Sequence, residues 1–389
     1  MRVLVVNAGS SSLKVSLLDH DDRVLGSEQV DQWSDTDASG VVAGLLGRHP
    51  EPDAVGHRVV HGGTRYTRPV LVDDEVIDGL SALVDLAPLH QPRALAGIAA
   101  LHTLLPGVPA VACFDTAFHA HIPPPAALYA LPREWNERLG LRRFGFHGLS
   151  HAYAVRRAAQ ITGQSLATTR VVSAHLGAGA SLAAVRAGVG VDTTMGFTPL
   201  AGLVMATRSG DVDPGLVLWL LRDAGVGLPV LADVLEHRSG LAGLSGTSGD
   251  LREVRAAAQA GQPDAATALA VYAHRLAREA AAMTVAAGGL DLLVLTGGVG
   301  EHDPGVRAGL ADHLEHLGVR IDPTANDQAD GDAEITAGGA RVRTVVVTAR
   351  EDLQIAAGVR EVLAGGAASS SGAGQRPEQH VDQRGGHQQ

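Results

Sequence analysis

The 389-residue chain has a single cysteine, Cys113. This excludes a disulfide framework and a Cys-x-x-Cys metal site, and it suits a reducing compartment. There is no block of basic residues: Lys and Arg number 31 against 42 Asp and Glu, a net charge of −11. Such an acidic chain is a poor partner for nucleic acid or for an anionic membrane. No uninterrupted apolar run is long enough to span a bilayer, and the N-terminus carries Arg2 but no signal-peptide pattern, so a cytoplasmic setting is expected. Aromatic residues make up only 3% of the chain, while Ala and Gly are abundant, a bias without functional weight. Two familiar nucleotide signatures are missing as well. No glycine loop closes on Gly-Lys-Ser/Thr, and LLVLTGGVGEH (292–302) lacks both GxGxxG spacing and a following strand with an acidic end.

What is present begins at VLVVNAGSSSLKVSLLD (3–19). Two apolar strands flank Asn7, Gly9 and Ser10 to Ser12, and Lys14 follows at once. A two-residue hairpin needs far less than this. Small residues with exposed backbone N–H groups and hydroxyls, closed by one cation, suit an anion such as phosphate. VVSAHLGAGASLAAVRAG (171–188) repeats the plan half a chain later: apolar strand, polar residue, glycine turn, Ser, apolar strand. The repeat predicts duplicated domains, each offering a backbone cradle to one anion; the competing reading is a pair of ordinary hairpins.

Further strands are read at AVGHRVV, AVACF, LLVLTGG and RTVVVTA, and helices at EVIDGLSALVDLA, ALAGIAALHTLL, HAYAVRRAAQITG and the long stretch ending at Gly288-Gly289. This βα alternation makes an α/β protein long enough for two domains and a cleft. From Gly365 onward large apolar residues all but vanish, and a disordered tail is expected over 365–389.

The motifs NAGSSSLK, GHRVVHGG, PLHQP, FDTAFH, FGFHGLSH, HLGAG, DTTMGFTPLAGLVMATRSGDVDP, SGLAGLSG, LTGGVGEH and TAREDLQIA stand in the order seen in the acetate kinase family, and the resemblance covers about residues 1–360. It implies two duplicated domains of the actin-like ATPase (ribonuclease H-like) type around a nucleotide cleft, bounded at 1–116 plus about 352–364 and at 117–351. It also implies ATP and acetate, or ADP and acetyl phosphate, as substrates, Mg²⁺ (or Mn²⁺) as cofactor, and a homodimer.

Residue by residue, the resemblance assigns Asn7 and Glu351 to the metal. Hard oxygen ligands suit Mg²⁺, although a turn-forming Asn and a helix-start Glu would look the same. Arg58 and Arg208 match two essential arginines that hold a carboxylate and the phosphoryl oxygens, with a structural ion pair as the competing role. His147 matches a transition-state stabiliser. Asp115 matches an acid/base residue, but acetate is already ionised at pH 7 and needs no base. The chemistry points instead to a carboxylate that orients an arginine or touches metal-bound water. Val60, Leu89, Phe146 and Pro199 match a pocket for the methyl group, with His90 near the same end. Lys14, the turn of His175, Leu176, Gly177, Ala178 and Gly179, the run Asp250, Leu251 and Arg252, and the run Gly297, Gly298, Val299, Gly300 and Glu301 match the nucleotide side. His61, His119, His121 and His151 read as structural.

The chain departs from the family at three places. Ala178 replaces the usual Asn of the second glycine turn, Asp352 shortens the usual second Glu, and the segment between Asp19 and Asp53 is short. Three other activities stay open on the residues alone: a propionate or butyrate kinase, an acyl phosphate hydrolase, and a non-catalytic actin-like nucleotide switch.

Overall fold

A computed structural model describes residues 1–8, 12–31, 35–88 and 90–371. Residues 9–11 of the hydroxyl loop, residues 32–34, Leu89, and residues 372–389 lie outside the described residues.

Strand β1 (Val3–Ala8) is apolar on both sides, with Val3 and Val5 in one buried cluster and Leu4 and Val6 in another. A strand of this kind belongs inside a sheet covered on both faces. The first sheet holds β1, β2 (Ser12–Leu18), β3 (Val24–Asp31), β4 (Ala54–Val59), β5 (Val70–Leu71) and β6 (Ala110–Phe114), in the order β3-β2-β1-β4-β6-β5. The second holds β7 (Arg170–Leu176), β8 (Ala180–Arg186), β9 (Val189–Thr193), β10 (Leu292–Thr296), β11 (Ala333–Glu334) and β12 (Arg343–Val346), in the order β9-β8-β7-β10-β12-β11.

The two orders are one plan. In each sheet an antiparallel meander of three strands is followed by two parallel neighbours and an antiparallel edge strand. The hairpin registers align the copies: Asn7 pairs with Lys14 across β1–β2, and His175 pairs with Ser181 across β7–β8. The repeat read in the sequence is therefore a duplicated fold, α/β with two six-stranded sheets.

Helices α1 (Asp35–Leu46) and α2 (Gln91–Leu104) cover the Leu4/Val6 face of the first sheet. Helix α3 (Gly148–Thr162) covers one face of the second sheet through Ala154, Val155 and Ala158. Beyond it come α4 (Pro214–Arg222), α5 (Leu228–His237) and α6 (Leu251–Gln259). The long α7 (Pro263–Ala287) covers the opposite face of the second sheet and ends on Gly288 in a left-handed conformation, φ +78°. A short α8 (Gly297–His302) leaves β10 directly, and α9 (Glu351–Ser371) returns to the first sheet, placing Ile355, Ala356 and Val359 against Val3 and Val5. Helices α3 and α9 touch and form a shared middle layer.

One expectation changes, and the tail expected over 365–389 lies largely outside the described residues. The stretch read as one helix at 75–87 stops at Ser81 and resumes as a single tight turn at Val84–Leu86.

Candidate active site

The parallel strands of both sheets end toward one region, as ligand sites of open α/β sheets do. At the first sheet's strand ends the groups are charged. Arg58, on β4, donates from Nη2 to Asp115 Oδ2 at 2.6 Å and from Nε to the same carboxylate at 3.1 Å and 3.2 Å. Its Nη1 donates to Asn7 Oδ1 at 3.0 Å and lies 3.7 Å from Glu351 Oε2. Asn7 Nδ2 in turn donates to that Glu351 oxygen at 2.6 Å.

Asp115, at the end of β6, is 1% exposed and Arg58 14% exposed, so this is a dry cluster in which charges act strongly. Burial works against the Arg58 cation, but Asp115 and Glu351 outweigh it and hold its pKa above the ordinary arginine value. Burial pushes Asp115 upward even against the pull of Arg58. Glu351 ends below the ordinary value: burial opposes this, and Arg58, His175 and the bond from Asn7 overcome it.

Arg58 thus bridges Asp115 and Glu351, and the Lys14 cation also acts on Glu351. Beside it opens a cavity of about 190 Å³ lined by Asn7, Lys14, Glu351 and Asp352. The Glu351 carboxylate beside the Asn7 amide, with room for water, suits a hard divalent cation that keeps much of its hydration, while Asp352 is held by Arg350.

At the second sheet's strand ends the groups are neutral. His147 holds φ +54° and ψ +23° immediately before α3, a left-handed conformation that costs a non-glycine residue roughly 1–3 kcal/mol and is found at sites that need a side chain aimed. Its ring stacks on His175 at 4.4 Å between centroids. Ser181 Oγ lies 2.9 Å from His147 Nδ1, and Ser150 Oγ lies 2.8 Å from His175 Nδ1. Burial first, then the neighbouring His175 and Arg58, hold His147 well below the ordinary histidine pKa; burial lowers His175 as well, against the pull of Glu351. Both rings are uncharged at neutral pH.

Arg208 sits on a loop that closes on itself. Gly202 N donates to Asp211 Oδ1 at 2.8 Å, and Met205 N donates to the Arg208 carbonyl at 3.2 Å. The guanidinium has one long ion pair, to Glu236 at 3.4 Å, and a 3.5 Å contact to the Pro199 carbonyl. A half-buried cation so thinly partnered has bonding capacity left for an anion.

Gly179 lies between the two groups. A Cβ there would stand 3.4 Å from His147 Nε2 and 3.7 Å from Arg208 Nη1, so the glycine keeps both side chains close to the 177–179 turn. Arg208, His90 and Pro199 line a cavity of about 410 Å³, while Val60 and Phe146 are buried in the adjoining apolar core and do not line it. Burial, then the Arg208 and Arg58 cations, bring His90 down to about 4.

A third cavity, about 490 Å³, is walled by Gly177, Ala178, Asp250, Leu251, Arg252, Gly298 and Val299. Asp250 caps α6, and its carboxyl is held at about 2 by its bonds to Arg252. A Cβ on Gly298 would meet nothing within 4 Å, so this glycine opens the wall. Gly297, at φ +78°, serves the chain instead: a Cβ there would come 2.7 Å from the Leu176 carbonyl. Gly300 is buried in α8, and Glu301 accepts a bond from Ala349 N at 3.0 Å, behind the wall.

Sequence reasoning missed Tyr272, His302 and Asp303 in this wall, the serine partners of the histidines, and the rarity of Lys14. Of 31 basic residues 30 are arginine, and Lys14 is the only lysine in the chain. Among the described residues, no helix is long and apolar enough to cross a membrane.

Duplicated α/β sheets that bring a glycine-walled pocket near two arginines and a carboxylate cluster suit a phosphotransferase, which works by positioning and charge. The comparisons narrow the class. The acetokinase family profile matches residues 47–357. An acetate kinase of Synechococcus sp. (strain JA-2-3B'a(2-13)) is 43% identical over 404 residues, covering 94% of this chain and 100% of the relative. The crystal structure of Porphyromonas gingivalis acetate kinase superposes with a TM-score of 0.86 at 36% identity, over 93% of this chain and 99% of the other. A propionate kinase from Francisella tularensis superposes at 0.84 with 34% identity, over 92% and 98%. The chain belongs to the acetokinase family.

Proposed function

We propose that the chain is an acetate kinase, transferring a phosphoryl group reversibly and in line from ATP to acetate, with Mg²⁺, to give acetyl phosphate and ADP. The observation that carries this reading is the 177–179 turn, whose Gly177 and Ala178 wall the nucleotide-sized cavity while Gly179 lies against His147 and Arg208, so that the nucleotide side adjoins the cation.

The division of labour follows from the geometry. Adenosine occupies the 490 Å³ cavity, and its phosphates reach along the 177–179 turn toward Lys14. Arg58 and Arg208 hold the acetate carboxylate and the equatorial phosphoryl oxygens, where charge must be balanced as the group migrates. His147 gives a hydrogen bond to that group. Asp115, bound to Arg58 through three contacts, orients the guanidinium rather than removing a proton. Asn7 and Glu351 would hold Mg²⁺, which supplies charge neutralisation on the phosphates when bound.

The first domain comprises 1–116 plus about 352–364 and the second 117–351, consistent with α9 packing on the first sheet. A cytoplasmic homodimer suits the chain. Helix α4 has no buried residue and exposes Leu216, Leu218 and Trp219, an apolar face that a second copy would cover.

Purified protein given ATP, Mg²⁺ and hydroxylamine with acids of two, three and four carbons tests the reading by acyl hydroxamate yield. Acetate should give the highest kcat/KM, with propionate lower by about 10–200-fold for one methylene. Phosphate release without any acyl hydroxamate would refute it.

A further inference from the structure

Behind His147 a chain of buried hydroxyls and imidazoles runs into the second sheet. Ser181 Oγ, on β8, lies 2.9 Å from His147 Nδ1 and 2.9 Å from His151 Nε2. His151 Nδ1 lies 2.9 Å from Ser173 Oγ on β7. Ser173, Ser181 and His151 are all 0% exposed, so water does not complete these bonds. His151 stands one helical turn from His147, and its backbone N–H donates to the His147 carbonyl at 2.9 Å.

The proton count permits two arrangements. A hydroxyl has one proton and two lone pairs. Ser181 is fully buried and its hydroxyl meets the two ring nitrogens as its partners among the described residues, so its proton goes to one of them and it accepts from the other. In the first arrangement His151 Nε2–H donates to Ser181, Ser181 donates to His147 Nδ1, and the remaining His147 proton sits on Nε2. His151 Nδ1 is then bare and accepts from Ser173. In the second arrangement every bond is reversed, and His147 Nε2 carries a bare lone pair. Nε2 is the nitrogen that faces Gly179 and the turn where phosphates would lie. A lone pair there would repel an anion, and an N–H would bind it.

We propose that Ser181 and His151 are positioning residues that fix His147 as the Nε2–H tautomer, so that its ring presents a donor to the transferring phosphoryl group. The proposal rests on the assignment of His147 as the group that meets the phosphoryl oxygens. It gives His151, expected to be structural, and Ser181, which sequence reasoning passed over, a defined part in the reaction. The second domain thereby uses uncharged donors, where a cation would compete with Arg208 for the same oxygens. The orienting partner of a functional histidine is usually a carboxylate or a carbonyl; here a hydroxyl shared with a second histidine does that work.

The test pairs kinetics with ¹⁵N NMR. In protein labelled on histidine nitrogen, with the His147 signals assigned by their loss in His147→Ala, the wild type should show a protonated Nε2 and a bare Nδ1. Ser181→Ala should mix the tautomers and lower kcat by about 10–100-fold, while KM for ATP and acetate stays within about threefold. Ser181→Thr, which returns the hydroxyl, should recover most of kcat. His151→Gln, whose amide can donate to Ser181, should keep more activity than His151→Leu.

A bare Nε2 on His147 in the wild type, or an unchanged kcat in Ser181→Ala, would overturn the proposal. If His147→Ala loses activity while Ser181→Ala does not, the relay alone fails. If His147→Ala keeps full activity, the assignment of His147 fails with it. Should Ser181→Ala not fold, the wild-type spectrum still decides.

Discussion

The two sheets share one strand plan and do opposite chemistry. At matching positions of the two hairpins the first sheet has Asn7 and Lys14, and the second has His175 and Ser181. Around the first pair stand Arg58, Asp115 and Glu351, bonded to one another in a dry cluster. Around the second stand neutral imidazoles, hydroxyls and glycines. Duplication supplied the placement of strand ends, and divergence of a few side chains set the electrostatics. The charged half can balance a migrating phosphoryl group, and the uncharged half can hold a nucleotide without gripping its product.

This contrast is broken most sharply at Arg208, a half-buried cation from the second half that lies beside the 177–179 turn. Arg208→Ala should lower acetyl phosphate formation by about a thousandfold, read as kcat in a coupled ATP assay, since arginines on a transferring phosphoryl group are worth that much or more. Asp115→Asn comes next. Arg58 loses its bidentate partner, and kcat should fall about 10–100-fold. Combining Asp115→Asn with Arg58→Ala should add little to Arg58→Ala alone, because the two residues act as a unit. Normal turnover together with normal Mg²⁺ affinity in Asp115→Asn would remove its orienting role.

Smaller effects sharpen the nucleotide side. Ala178 is exposed on the cavity wall, and its carbonyl accepts from Ala206 N at 3.1 Å, so the turn's backbone is held without a side-chain amide. Ala178→Asn should lower KM for ATP by about threefold, the worth of one added hydrogen bond, with kcat nearly unchanged.

Acid acts on both halves, since buried histidines with a lowered pKa lie in each. His57, His61 and His119, at or just beyond β4 and β6, are held at about 4 by burial, against an ordinary value of 6.5. Between those two values the unfolded chain takes up protons that the folded chain refuses, so stability falls as pH drops from 6.5 toward 4. Melting temperature against pH should show this decline. His57→Leu, which removes one such group, should flatten it.

Much of this was legible in the sequence because strands buried on both faces are strongly patterned. β1, β4, β7 and β10 all announce themselves as apolar runs. β3 did not, since its LGSEQV stretch carries polar residues along an exposed edge. Arg58 and Asp115 were each recognisable, but their pairing was not; they are 57 residues apart and meet only because β4 and β6 are parallel neighbours. The LTGGVGEH run was read as a single ligand-facing loop. Its glycines in fact divide between opening the cavity wall, at Gly298, and relieving a clash with β7, at Gly297. Ser150 lies inside FGFHGLSH, but nothing in that motif pairs it with His175, and Ser173 and Ser181 sit on β7 and β8 without a signal that names His147 or His151. Only the register of β7 against β8 and the turn of α3 bring them to those rings.

The central claim is that the first sheet's charges act on the migrating group while the second sheet's cavity binds the nucleotide. Titrating ATP calorimetrically into Arg58→Ala, alongside its rate of acetyl phosphate formation, tests this most directly. The account predicts a Kd for ATP within about threefold of wild type and a rate lower by about a thousandfold; loss of ATP binding in step with the rate would contradict it.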